Sequence, residues 1–201
     1  RVAEVIAVEP DDRMRAVLAA RSPGARAVAG RGEAVPVPDA SVDAVFVSSA
    51  WHWFDPSLAV PEIARVLRDG GRLGVLWTSL DREADWAAVA DGLLRPAGAR
   101  RAGGATRPGR PLMVMLPDSA PFSAVESASF TFTRTMTVGD AVDWIATYSA
   151  VITAPEAERA AGLARARESL LQRADADGLI AVPMRSTCWR ADRFPRSASA
   201  G

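Results

Sequence analysis

Val2 to Val8 (VAEVIAV) is apolar at every position but one and rich in β-branched side chains. Successive side chains of a strand point to opposite faces, so a strand with one wet face alternates; a run this continuous asks for cover on both faces. That demand selects a sheet buried between helices. The run ends at Glu9-Pro10, and Asp11 and Asp12 then cap or begin a helix in which Met14, Val17 and Leu18 fall at i, i+3 and i+4. Ser22-Pro23-Gly24 stops it.

The same alternation continues. Ala25 to Ala29 reads as a short strand, Gly30 to Asp39 as a connection, and Val42 to Val47 as a second buried strand leading into the aromatic turn Trp51-His52-Trp53-Phe54. Asp55-Pro56 opens a helix running through Glu62, Ile63, Val66 and Leu67 to a stop at Gly70-Gly71, with Pro61 splitting or kinking it. Arg72 to Trp77 returns as a strand. Strands alternating with helices specify an α/β fold with a parallel sheet and right-handed crossovers. Farther on, Arg82 to Leu94 has helical spacing, while residues 95–111 carry five Arg, no acid and many Gly and Pro, the composition of a solvated loop. Glu126 to Met136 alternates as a strand, Thr137 opens a helix through Val142 and Ile145, Pro155 to Arg173 is a long helix, and Ile180 to Trp189 is a last strand. The tail 195–201 reads as disordered.

Composition excludes several functions. The 201 residues suit one domain, and 24 basic residues, all Arg, against 24 acidic ones leave no net field to gather nucleic acid. A single cysteine, Cys188, excludes an intrachain disulfide, and a single histidine, His52, excludes a Cys/His metal cage. No apolar run approaches the roughly 18 residues of a membrane span, and the start lacks the pattern of a secretory signal. A cytoplasmic setting is expected, with no membrane and no nucleic acid as partner.

In doubly wound sheets ligands bind beyond the carboxyl ends of the strands. Four places qualify: Glu9, the turn Gly30 to Glu33, Ser48 to Trp53, and Trp77 to Leu80. An acid at a strand end can accept both hydroxyls of a ribose, which suits Glu9; it can equally serve the helix dipole. His52 titrates near neutrality and could take a proton from a reacting group, or could hydrogen-bond a backbone carbonyl and hold the turn.

Taken together, VIAVEPDDRMRAVLA, GRGEAVPVPDASVDAVFVSSAWHWF and EIARVLRDGGRLGVLW, in this order, resemble class I S-adenosylmethionine-dependent methyltransferases, and most nearly the small-molecule branch with an HWF motif. The likeness runs from Val2 to about Trp86, and more weakly through the Ser149 region and PMRSTCWRA. It implies a Rossmann-like sheet, mostly parallel with an antiparallel C-terminal end, the cofactor S-adenosylmethionine and a small-molecule methyl acceptor. It implies that Glu9 binds the ribose hydroxyls, that Pro10 and Asp11 border the adenine, and that Gly32 and Glu33 frame it. Ser48, Ser49 and Ala50 would lie beside the methionine moiety; His52 follows directly, and its own chemistry makes it the candidate catalytic residue or a holder of the turn. Where the family has an acid that reads the adenine amino group, this chain has Arg31, which donates but cannot accept.

The family's glycine-rich loop after the first strand is not in this sequence. On the family pattern roughly one βα unit of 30 or more residues would precede Arg1, so the expected sheet lacks its first strand and helix. The chain is then an N-terminally truncated form of an enzyme, or a non-catalytic remnant or interaction domain of the same fold. Its organisation would be residues 1–94 as the cofactor-binding part, 95–111 as the Arg-rich loop, 112–194 as the substrate-side part of the same domain, and 195–201 as the tail. A nicotinamide-dependent oxidoreductase also wants an acid like Glu9, but the tryptophan-rich turn suits it poorly. A serine hydrolase lacks the GxSxG elbow.

Overall fold

A computed structural model describes residues 4–81, 83–84 and 114–196. The expected helix 82–94, the Arg-rich loop and residues 197–201 of the tail lie outside or almost wholly outside the described residues. In chain order the elements are β1 (Val5–Val8), α1 (Asp12–Arg21), β2 (Ala25–Val28), β3 (Val42–Ser48), a 3-10 turn (Trp51–Trp53), α2 (Pro56–Val66), β4 (Leu67–Leu80), β5 (Glu126–Thr137), α3 (Val138–Ala146), the short α4 (Ser149–Ile152), α5 (Glu156–Leu171) and β6 (Leu179–Asp192).

Local chemistry accounts for the boundaries of the first helices. Asp11 stands in extended backbone and accepts from the N–H groups of Arg13 and Met14, both at 2.9 Å, so α1 starts one residue later. Asp55 does the same for α2 through Ser57, with Pro56 at the first helical position, where its missing N–H costs nothing. The sheet strands fall into two sets. β1 pairs in parallel with β2 (Val5 opposite Ala25), and a four-stranded sheet runs β3-β4-β6-β5 with β3 parallel to β4. Its other pairs are antiparallel: Gly70 donates to the Arg193 carbonyl while Asp81 donates to that of Pro183, and Ser123 donates to Asp192 while the hydroxyls of Ser129 and Thr187 meet at 3.0 Å. The fold is α/β and Rossmann-like, with the antiparallel end the sequence led one to expect.

The chain divides into two units, one holding the described residues of 1–77, 112–128 and 188–201, the other those of 78–111 and 129–187. In the first, the inner face of α2 (Val60, Ile63, Ala64) packs with Val47, Leu73 and Val75 of the sheet and with Trp51 and Phe122. Ile63, Leu67 and Leu73 are at most 1% exposed, and each such side chain stabilises by about 1.5–3 kcal/mol on burial. In the second, Val138, Ala141 and Ile145 of α3 pack with Ala166 and Leu170 of α5 and with Ile180, Val182 and Met184 of β6.

Every carbonyl in the last turn of α2 finds a donor. Ile63 receives Leu67 N–H, Ala64 the Arg193 Nε–H at 2.7 Å, Arg65 the Ala40 N–H at 2.9 Å, and Val66 the Ser41 N–H at 2.9 Å.

Three expectations are corrected. The helix ends at Val66, not at Gly70-Gly71; the two glycines instead fill an irregularity in β4, where the register slips between Val42 and Ala44. Gly70 takes φ +74°, and a side chain on Gly71 would stand 2.8 Å from the Arg68 carbonyl, so only glycine fits. Of splitting or kinking at Pro61, splitting does not occur: α2 continues through it. The apolar stripe of α1 is not buried: Met14 and Val17 are about 60% exposed, as is Phe46 in β3 at 67%, so neither β1 nor β3 is covered on both faces by described residues. No helix among them is long and apolar enough to cross a membrane.

Candidate functional site

Glu9 extends the β1–β2 ladder by one bond, its N–H donating to the Val28 carbonyl at 3.1 Å. Its Oε1 accepts from Asp11 N–H at 2.9 Å, and its own carbonyl accepts from Arg15 Nη1 at 2.9 Å. Among the described residues the carboxylate makes no ion pair, so it keeps acceptor capacity toward solvent. Pro10 is exposed beside it. Asp11 is committed to capping α1, and the N–H of Met14, foremost, holds its carboxyl below the usual range.

Arg31 and Ala34 close a tight turn through bonds of 3.0 and 3.4 Å, with Gly32 and Glu33 at its tip. This turn is seated at two points. A Cβ on Gly30 would come 2.9 Å from Val8 Cγ1, at the end of β1, and one on Gly32 would meet three carbons of the Phe54 ring at 2.5–2.8 Å. Glu33 Oε1 accepts from Asp55 N–H at 3.0 Å. The turn therefore bridges the strand end that carries Glu9 and the aromatic turn that carries His52. Glu62 and Arg65 of α2 hold the following segment: Glu62 Oε1 accepts from Val35 N–H at 2.7 Å, and Arg65 donates to the carbonyls of Val35 and Val37 and to Asp39. The Arg65 guanidinium keeps the Glu62 carboxyl below its ordinary range, and Glu62 in turn raises Arg65. Between turn and helix lies an open groove of about 730 Å³ lined by Arg31, Glu33, Trp53, Leu58, Glu62 and Arg65, with Asp55 and Pro61.

At the other strand end, Ser48 pairs with Leu76, and Ser49 N–H donates to the Leu76 carbonyl at 2.9 Å. Ser49 has φ +54°, a left-handed conformation that turns the chain sharply off β3. Ala50 accepts from Trp53 N–H at 2.9 Å, which closes the 3-10 turn. Trp51 is buried in the core, whereas Trp53 is 74% exposed. His52 lies between indoles, its ring centroid 4.8 Å from Trp53 and 5.0 Å from Trp77, the latter at 84°. It makes no hydrogen bond among the described residues, and its described neighbours are the two indoles. Burial lowers its pKa from the ordinary 6.5.

Of the residues singled out in the sequence, the structure joins Gly32 and Glu33 to the aromatic turn, and Ser49 and His52 to Leu76 and Trp77 of β4. Glu9 connects to them through Val8 and Gly30. Sequence reasoning did not single out Phe54 and the Glu62–Arg65 pair as site supports. Only the apolar and charged character of those residues was visible, and both are common on any helix or turn.

The sequence profile of the methyltransferase domain family matches residues 1–75. An uncharacterized methyltransferase of Mycobacterium tuberculosis is 37% identical over 193 residues, covering 94% of this chain and 74% of that protein. An uncharacterized methyltransferase-like protein of Schizosaccharomyces pombe is 30% identical over 162 residues, covering 78% of this chain and 59% of its own length. Among solved structures, a Type II methyltransferase from Anaeromyxobacter dehalogenans superposes with a TM-score of 0.62 at 24% identity, covering 96% of this chain and 82% of that one.

Proposed function

This chain belongs to the class I methyltransferase family, and on that premise we propose that it carries out S-adenosylmethionine-dependent methyl transfer to a small-molecule acceptor. The observation that supports this most directly is the seating of the Arg31–Ala34 turn against both Val8 and Phe54, because it joins the Glu9 strand end to the His52 turn.

The residues present suit the cofactor. The Glu9 carboxylate, held by one backbone N–H and making no ion pair among the described residues, has lone pairs for the two ribose hydroxyls. Pro10 and Asp11 border the adenine, with Arg31, Gly32 and Glu33 on its other side. Gly32 carries no side chain where the ring of Phe54 already fills the space, so its backbone can lie against the aromatic turn. Ser48, Ser49 and Ala50 stand beside the methionine moiety. When bound, S-adenosylmethionine supplies an electrophilic methyl group on a sulfonium. His52, neutral near pH 7, accepts the proton that the acceptor loses, and the faces of the indoles beside it favour a cationic centre.

Arg31 at the position of the adenine-reading acid favours a second reading, an interaction domain of the same fold without catalysis. Isothermal titration of the full-length protein with S-adenosylmethionine separates the two. Micromolar binding supports the methyltransferase, and absence of binding leaves the second reading in place.

A further inference from the structure

We propose that Trp77 is the positioning residue for His52: the half-buried indole on β4, one residue past the last β3–β4 pair, fixes the plane of the imidazole and leaves both ring nitrogens free for an acceptor. The inference rests on the methyltransferase reading of the same site.

The geometry follows from backbone register. Ser48 lies opposite Leu76, and Ser49 N–H binds the Leu76 carbonyl, so the strand pairing ends one residue before Trp77. The left-handed backbone at Ser49 then turns the chain, and the 3-10 turn carries His52 back beside Trp77. The two rings meet at 5.0 Å and 84°, the edge-to-face arrangement that aromatic quadrupoles prefer. Trp53 touches the imidazole too, but at 74% exposure it is a weaker wall than an indole anchored on a strand. With no hydrogen bond to either nitrogen among the described residues, the ring plane depends on these contacts. Neither the 3-10 turn nor β4 at Trp77 brings a charged side chain against the imidazole, whose lowered pKa has burial as its sole cause. In the reaction, the acceptor's X–H bond breaks, its electron pair stays on X, and the proton goes to an imidazole nitrogen.

His52 is the sole histidine, so long-range proton–nitrogen correlation reads its pKa and tautomer without assignment. In Trp77→Ala the pKa is expected to rise toward 6.5, and in Trp77→Phe to stay near the wild-type value. An unchanged pKa in Trp77→Ala, or an equal rise in Trp53→Ala, overturns the proposal. Should Trp77→Ala fail to fold, the wild type still decides: nuclear Overhauser contacts between the imidazole and Trp77 support it, and their absence overturns it. S-adenosylmethionine titrated into the wild-type protein tests the underlying reading separately, since missing cofactor binding sinks that reading while the ring contact stands.

Discussion

Arg193, just past the end of β6, donates from Nε to the carbonyl oxygen of Ala64 at 2.7 Å and thereby closes the last turn of α2 from 129 positions away. Its Nη1 also binds Asp69, and its side chain is only 5% exposed. One buried guanidinium thus satisfies a helix terminus and ties a strand end to it.

Replacing Arg193 by Met should therefore destabilise the protein by about 2–4 kcal/mol, because the Ala64 carbonyl is left without a donor in a buried place. Lys should recover only part of this, since one ammonium cannot reproduce the fork. Urea unfolding is expected to show a lower midpoint at unchanged slope.

Acid should weaken the fold through the same kind of contact. The Arg193 hydrogen bond, foremost, lowers the Asp69 pKa, as Arg185 does for Asp81 and Arg72 for Asp192. A carboxylate depressed on folding contributes stability that is fully present above its unfolded pKa, roughly 4, and is lost as pH falls through the folded value. Thermal unfolding temperatures should hold down to about pH 5 and fall below about pH 4. Arg193→Met should lose the portion that depends on Asp69.

Gly32→Ala places a methyl group 2.5 Å from the Phe54 ring, so the ring or the turn must move. The expected cost is about 1–3 kcal/mol. Weaker S-adenosylmethionine binding should accompany it, and pairing the change with Phe54→Leu should restore part of the stability in a double-mutant cycle.

Ser49 stands in left-handed backbone. Ser49→Gly should be neutral or stabilise by up to about 1 kcal/mol, whereas Ser49→Val, with a branched Cβ, should destabilise by about 1–3 kcal/mol. Calorimetric melting compares the two directly.

Glu9→Ala should weaken S-adenosylmethionine binding about 10- to 100-fold, the value of hydrogen bonds to a charged acceptor. Its melting temperature should change little, because the lost partner is the exposed N–H of Asp11. Titration calorimetry beside a thermal melt distinguishes this from unfolding.

Much of the site was visible in the order of residues. Glu9 after an apolar run, the Gly30 to Glu33 turn and the Trp51 to Phe54 turn are local signals, and each lies at a strand end in the structure. What joins them was not visible. Gly30 against Val8, Glu33 with Asp55 and His52 with Trp77 are contacts between segments, and no local pattern states which segments become neighbours.

By itself the sequence determined where backbone conformation changes, because caps and proline positions act within a few residues: Asp11 and Asp55 start α1 and α2 as their side chains dictate. Only the tertiary structure decided what those elements touch. Gly70-Gly71 reads locally as a helix stop, yet in the structure the pair fills an irregularity of β4 against β3, with Gly70 donating to the Arg193 carbonyl. The stripe of α1 reads as a buried face, yet Met14 and Val17 stay exposed, since burial depends on a neighbour and not on spacing. Hydrogen-bond satisfaction at the end of α2 waited on Arg193 for the same reason: a carbonyl needs a donor, and the chain brings one from far away only once the sheet has formed.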